Sequence, residues 1–209
     1  MDTRVNTIIL RGFLHSRPEF SHENHGREFY RFSLLVPRLS GAEDILPVIA
    51  ARDVLEHTEL DGGILEITGQ IRSFNNRSDT GRRLVISVYA EKIALCDAEP
   101  ENLVSLIGTI CKEPVYRRTP LGREICDVML AVNRSYHRSD YLPIILWGRS
   151  AKEATQFTVG TMLQVEGRLQ SREYQKQLPD GVEKRTAYEI SAMSTLVYSP
   201  REAEEVPAF

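Results

Sequence analysis

Residues Gly122–Arg149 read GREICDVMLAVNRSYHRSDYLPIILWGR. Two apolar runs, Ile125–Val132 and Leu142–Trp147, flank a polar connection that carries Asn133, Arg134, Ser135 and Asp140. Both runs are short and rich in Ile, Val and Leu, which predicts two neighbouring strands joined by a loop and not a helix. Tyr136, Tyr141 and Trp147 are interleaved with Arg134, Arg138 and Arg149. Flat rings beside guanidinium groups suit a surface on which planar groups stack with phosphates alongside.

The same stretch has a partner upstream. With residues 6–48 set beside 102–144, a constant offset of 96, 13 of 43 positions are identical, where chance pairing gives two or three. The identities include Asn6/Asn102, Leu10/Leu106, Gly12/Gly108, Pro18/Pro114, Gly26-Arg27-Glu28 against Gly122-Arg123-Glu124, Arg38/Arg134 and Asp44/Asp140. Further on the offset drifts, but Gly69 in ITGQIRS still answers Gly167 in VEGRLQS. The chain therefore reads as a tandem repeat of one domain. We expect a first domain over 1–98, a second over 99–198 and a short acidic tail over 199–209.

Each copy has one order of elements. A first strand (7–15; 103–112) leads to a loop with proline and glycine, then a second strand (28–36; 124–132). After a polar loop comes a third strand (45–51; 141–147), then a short helical stretch (52–58; 148–156) whose Ala and Glu favour helix. A fourth strand (64–74; 162–174) turns at Asp79-Thr80-Gly81 or Pro179-Asp180-Gly181 into a fifth (83–95; 185–197). The expected fold is all-β: two tandem five-stranded Greek-key barrels of the oligonucleotide/oligosaccharide-binding (OB) type, each with a short helix between strands three and four. Closure would remove two sticky edges, and Gly12, Gly69, Gly108 and Gly167 fit sharp coiling of the sheet. An open five-stranded sheet shares the pattern.

Composition sets bounds. The net charge is −3, which argues against gripping a polyanion by bulk charge. Residues 1–98 hold 12 basic and 14 acidic groups, while 99–198 hold 13 and 12, so the site is expected in the second half. Three cysteines, Cys96, Cys111 and Cys126, form no close pair and fit reduced core thiols of a cytoplasmic protein. No apolar run approaches the roughly 20 residues of a bilayer span, and the N-terminal apolar core is too short for a secretion signal. No membrane association is expected.

The second copy resembles the bacterial single-stranded DNA-binding protein family. The resemblance rests on Asn102-Leu-Val-Ser-Leu-Ile-Gly108, Pro114, Ala131-Val-Asn-Arg134, Asp140 through Ala151, Val159-Gly160 and Val165 through Tyr174. It covers about 102–192 well and 6–95 faintly. It implies a non-catalytic protein that coats and protects single-stranded DNA in replication, recombination or repair. The implied stacking platforms are Tyr136, Tyr141, Trp147 and Tyr174, although each ring also fits a core or interface role. The implied phosphate contacts are Arg117, Arg118, Arg134, Arg138, Arg149, Lys152, Arg168 and Arg172. Stacking does not read the 2′-hydroxyl, so RNA is not distinguished from DNA.

The first copy departs at the ring positions: Ser40 stands for Tyr136, Ile45 for Tyr141, Ala51 for Trp147 and approximately Asn76 for Tyr174. We expect a degenerate platform there, with weaker contacts through Arg38, Arg72, Arg77, Arg82 and Arg83; Phe74 and Tyr89 are the alternative rings on offer, and the pattern does not favour them. Family members assemble four barrels, so a two-barrel chain implies a homodimer. The tail, with Glu204, Glu205 and Phe209, resembles a degenerate form of the family's partner-binding acidic tip and implies contact with replication and repair proteins.

Other chemistry is not signalled. His22 and His25 lack a third convincing ligand, no Gly-rich phosphate loop or serine elbow is present, and Asp127 and Asp140 are too isolated for a two-metal nuclease. We expect no cofactor, no metal and no small-molecule substrate. The competing reading is a structural or adaptor protein of a primosome or mobile element, whose barrels mainly grip proteins and bind nucleic acid weakly.

Overall fold

The computed structural model describes residues 5–56, 58, 60–78, 81–135, 138–178 and 181–199. Among the described residues eleven strands form one continuous sheet that closes on itself twice. The first barrel comprises β1 (Asn6–Asn24), β2 (Arg27–Pro37), β3 (Glu43–Ala51), helix α1 (Arg52–Glu56), β4 (Ile64–Ser78) and β5 (Gly81–Cys96). The second comprises β6 (Glu101–Ile110), a short β7 (Val115–Arg118), β8 (Glu124–Arg134), β9 (Arg138–Trp147), helix α2 (Gly148–Glu153) with a following 3₁₀ turn, β10 (Met162–Leu178) and β11 (Gly181–Val197). In each barrel the third strand pairs in parallel with the fifth, and every other pairing is antiparallel. That is the OB arrangement, with both helices where the Ala- and Glu-bearing stretches predict them.

Alternation in the strands explains the closure. Along β1, Asn6, Ile8, Leu10 and Gly12 point inward while their neighbours are half-buried, the period-2 signature of a sheet with one buried face. The inward rows of both barrels form one buried cluster, including Leu10, Leu34, Leu46 and Ile67 in the first and Leu106, Leu130, Leu142 and Val165 in the second. All three cysteines are free, and burial pushes the Cys111 and Cys126 thiols up, so both stay protonated at neutral pH. Among the described residues no helix is long and apolar enough to cross a membrane.

Two equivalent glycines shape the barrels. At Thr68/Gly69 and Glu166/Gly167 the pairing with the fifth strand slips by one residue, a β-bulge in the same place in each copy. A Cβ on Gly69 would lie 2.0 Å from the Tyr89 carbonyl oxygen, and one on Gly167 2.4 Å from that of Ser191. Backbone approach at the bulge, not turn conformation, therefore dictates glycine here. Just beyond the bulge Asn6 Nδ2 donates to Ile71 O (2.7 Å) while Ile71 N–H donates to Asn6 Oδ1 (2.9 Å). Asn102 and Leu169 repeat both bonds at 2.7 and 2.9 Å. These asparagines extend the ladder with a side chain where the strands splay apart.

The barrels are joined along β1 and β6, which pair antiparallel from Asn6↔Leu106 to Arg11↔Glu101. A second tie is reciprocal. Asp44 of the first barrel, 1% exposed, accepts Ser171 N–H (2.7 Å) and Ser171 Oγ–H (3.0 Å) from β10 and is clamped by Arg38. Asp140 of the second barrel, 0% exposed, accepts Ser73 N–H (2.7 Å) from β4, with Arg72 at 3.2 Å and Arg134 at 3.7 Å. Each barrel's long hairpin thus crosses to the other and is held by a buried carboxylate.

Two features differ from the sequence expectation. β1 does not end near His15 but runs through Pro18 to Asn24, with register shifts between Leu14 and His22 that take up the proline. In the second copy the corresponding loop contains β7, which pairs with β8 from Val115↔Asp127 to Arg118↔Glu124.

Candidate nucleic-acid interface

The strand that carries the candidate site is β9. Asp140, Leu142, Ile144 and Leu146 fill the core, so Tyr141, Pro143, Ile145 and Trp147 form its outward row. That row spans about 20 Å at the strand rise. Tyr141 at one end is 45% exposed and Trp147 at the other is 37% exposed. The Trp147 indole is not loose, because its Nε1–H donates to Ser191 Oγ at 2.9 Å. Part of the side chain is left to solvent while the Nε1 edge is fixed, the condition under which a ring can stack without first losing its own freedom.

Pro143 and Ile145, between those rings, line a groove of about 850 Å³. Its other walls are Asp127 and Met129 on β8, Arg172 and Tyr174 on β10, Arg185 through Glu189 on β11, and Leu84 through Ile86 from the first barrel. The Arg172 guanidinium lies 5.8 Å from the centre of the Tyr174 ring. Tyr141, Trp147 and Tyr174 therefore border one surface. Tyr136 lies outside the described residues.

The candidate cations are mostly engaged by carboxylates. Arg117 pairs with Asp127 (2.5 Å), Arg149 with Glu153 (2.9 Å) and Arg172 with Glu189 (3.5 Å). Glu124 is a node that accepts from Tyr116 Oη (2.8 Å), Lys152 (3.0 Å) and Arg118 (3.3 Å). Hydrogen bonds from Lys152 and Tyr116 hold its carboxyl below the usual range, and the Tyr116 contact pushes Arg118 up. Solvent-exposed pairs of this kind add little net stability, so a phosphate can displace the carboxylate at little cost. Arg138 is exposed without a carboxylate partner among the described residues, and Arg168 is half-buried on β10. Arg134 belongs to the Asp140 tie instead of the open surface.

In the first barrel Arg38 is likewise committed to a tie, through Asp44. The side chains of Arg77, Arg82 and Arg83, and the tail residues Glu204, Glu205 and Phe209, lie outside the described residues. Beyond Phe74 and Tyr89, the sequence does not single out the other rings that this barrel brings together. His22 stacks on Phe29 (5.0 Å, 10° between planes), Phe29 meets Tyr89 at 6.2 Å, and Phe20 meets Tyr30 edge-on at 6.0 Å. None of these positions matches a ring of the second barrel's row, so alignment of the copies could not flag them. The periodic placement of Phe29 and Tyr89 on strands was the available signal.

Geometry alone defines a tandem OB protein with an aromatic, arginine-bearing face on its second barrel. Comparison with known proteins agrees. The profile of the single-strand binding protein family matches residues 101–197. Single-stranded DNA-binding protein 2 of Listeria innocua is 35% identical over 81 residues, which is 35% of this chain and 51% of that protein. Single-stranded DNA-binding protein B of Bacillus subtilis is 34% identical over 83 residues, 36% of this chain and 74% of that protein. The chain belongs to the single-strand binding protein family. It spans about half the length of several curated relatives that it matches. The crystal structure of the wild-type single-stranded DNA-binding protein from Thermus aquaticus superposes with a TM-score of 0.74 at 22% identity, covering 98% of this chain and 95% of that one. That likeness is one of fold and includes both barrels.

Proposed function

We propose that the chain is a non-catalytic, sequence-tolerant binder of single-stranded DNA that coats and protects exposed strands in replication, recombination or repair. The observation that carries the reading is the outward row of β9, with Tyr141 and Trp147 exposed at its two ends and Tyr174 with Arg172 across the groove. Bases would stack on these rings, and Arg138, Arg149, Lys152, Arg168 and Arg172, with Arg117 and Arg118, would meet phosphates by exchanging carboxylates for them. Because any base offers a π-face, little sequence preference follows.

In this reading residues 1–98 and 99–198 are the two binding domains, with the second the principal one, and 199–209 is a tail that contacts replication and repair proteins. The protein acts in the cytoplasm as a homodimer of four barrels. Met193, Leu196 and Val197, 60–65% exposed near the end of β11, supply apolar surface for such an interface.

Fluorescence anisotropy with labelled oligothymidylate tests the site. Each base stacked is worth about 1–3 kcal/mol, so Trp147→Ala and Tyr141→Ala should each weaken binding by at least about fivefold, with the salt dependence of binding unchanged. Unchanged binding in both variants would overturn the assignment of this face, and weak binding by the wild type itself would favour the adaptor reading.

A further inference from the structure

At the seam between the barrels the edge of β9 meets the β4 strand of the first barrel. Tyr141 N–H donates to Ser73 Oγ at 2.7 Å, and Ser73 N–H donates to Asp140 Oδ1 at 2.7 Å. We infer that Ser73 is a positioning residue for the Tyr141 ring, so that the binding face of the second barrel is held in shape from across the seam. The inference rests on the proposed function for its ligand. What it assigns to Ser73 is support of the ring, without contact to the strand.

The register of β9 shows why this bond matters. On one side Tyr141 pairs with Ala131 of β8. On the other, among the described residues, the parallel pairing with β11 reaches only Ile144 and Ile145. The edge at Asp140 and Tyr141 is therefore open, and an amide without an acceptor at a strand end is where a strand frays. Ser73 Oγ takes the place of the missing strand. Ser73 is itself fixed, because β4 pairs it with Ile86 and the neighbouring Arg72 bonds Asp140 Oδ2 at 3.2 Å. Asp140, 0% exposed, is thus held on both oxygens, and the very next residue carries the exposed ring.

The repeat supplies the comparison. In the equivalent tie Ser171 turns its hydroxyl onto the carboxylate, donating to Asp44 Oδ1 at 3.0 Å, and the residue after Asp44 is Ile45, not a ring. On the side that carries the ring, the serine hydroxyl faces the main chain instead. Trp147, at the far end of the row, has its support within its own barrel, from Ser191 Oγ at 2.9 Å. Each exposed ring of β9 is therefore served by a serine hydroxyl: Trp147 at its indole by the second barrel, Tyr141 at its backbone by the first. A ring whose main chain is already fixed loses less freedom when a base stacks on it.

The test uses the full chain with Ser73→Ala, Ser73→Thr, Tyr141→Ala and the double variant Ser73→Ala/Tyr141→Ala, each titrated with labelled oligothymidylate by anisotropy. Exchange of the Tyr141 amide is followed by NMR, and Trp147 emission of the free protein checks the far end of the row. Ser73→Ala should weaken binding about threefold to fivefold, as for one neutral hydrogen bond. Ser73→Thr keeps the hydroxyl and should restore most of the affinity. In the Tyr141→Ala background Ser73→Ala should cost nothing further, because the cycle isolates the coupling between the two residues. The Tyr141 amide should exchange faster in Ser73→Ala while Trp147 emission stays the same. An equal loss in both backgrounds, or an unmoved amide, overturns the positioning role and leaves the assignment of the face standing. Wild-type binding by Tyr141→Ala removes Tyr141 from the binding face, and the proposal with it.

Discussion

Ile8 and Val104 face each other across the seam between the barrels, and each is the other's counterpart in the repeat. The approximate dyad that relates the two copies therefore passes through this pair, and contacts across the seam recur where the equivalent residues match. The buried aspartates obey the rule: Asp44 holds Ser171 and Asp140 holds Ser73, with Ser73 and Ser171 at matching places in ITGQIRS and VEGRLQS.

Breaking either tie should be costly. Asp44→Ala leaves Arg38 and the Ser171 N–H without their acceptor in a nearly dry site, a loss of about 3 kcal/mol. For a chain of this size that corresponds to a fall in melting temperature of roughly 6–12 °C. Asp140→Ala should do at least as much harm, since it strands two arginines. Calorimetry of both variants checks this, and a shift below about 2 °C would mean that the carboxylates are not holding the barrels.

The bulge glycines give a sharper contrast. Gly69→Ala and Gly167→Ala force a Cβ against a backbone carbonyl that cannot move without breaking the ladder. Each should destabilise by more than about 3 kcal/mol. Gly108→Ala meets the Val132 side chain at 2.9 Å and the Ala131 carbonyl oxygen at 3.0 Å, a looser approach than at either bulge, and should be milder. Urea unfolding of the three variants should rank them in that order.

Acid should loosen the β7–β8 hairpin through Glu124. Its carboxyl is held below the ordinary value of about 4.3, so its contribution is present above that pH and is lost as pH falls through the depressed value. Wild type should exceed Glu124→Gln in stability at neutral pH, with the gap closing below about pH 4. A gap that persists unchanged to pH 3 would show that charge on Glu124 is not the cause.

On the proposed function Glu189, which lines the groove of the second barrel, would face the phosphates of the strand, and it engages Arg172 only at 3.5 Å. Glu189→Gln should therefore tighten strand binding about twofold to threefold at low salt, with the gain fading as salt rises. Equilibrium titration at two ionic strengths reads the effect.

Much of the fold was legible because period-2 apolar runs recur at a fixed offset, and the repeat doubles each signal. The exposure of Tyr141 and Trp147 follows from the same alternation. Pro18 hid the length of β1, since proline argues against a strand until register shifts absorb it. Arg38, Arg72 and Arg134 read as surface cations because their partners, Asp44 and Asp140, are buried only once two barrels are docked. Phe29 is not marked by comparison of the copies, and Tyr89 is disfavoured by it, because neither ring stands where the second copy has one.

Trp147 is the single tryptophan of the chain, so its emission reports the β9 face directly. Titration with oligothymidylate at low salt should quench it in a saturable way and recover on adding salt. Emission that stays constant while the strand is shown by anisotropy to be bound would place the DNA elsewhere and contradict the assignment of this face.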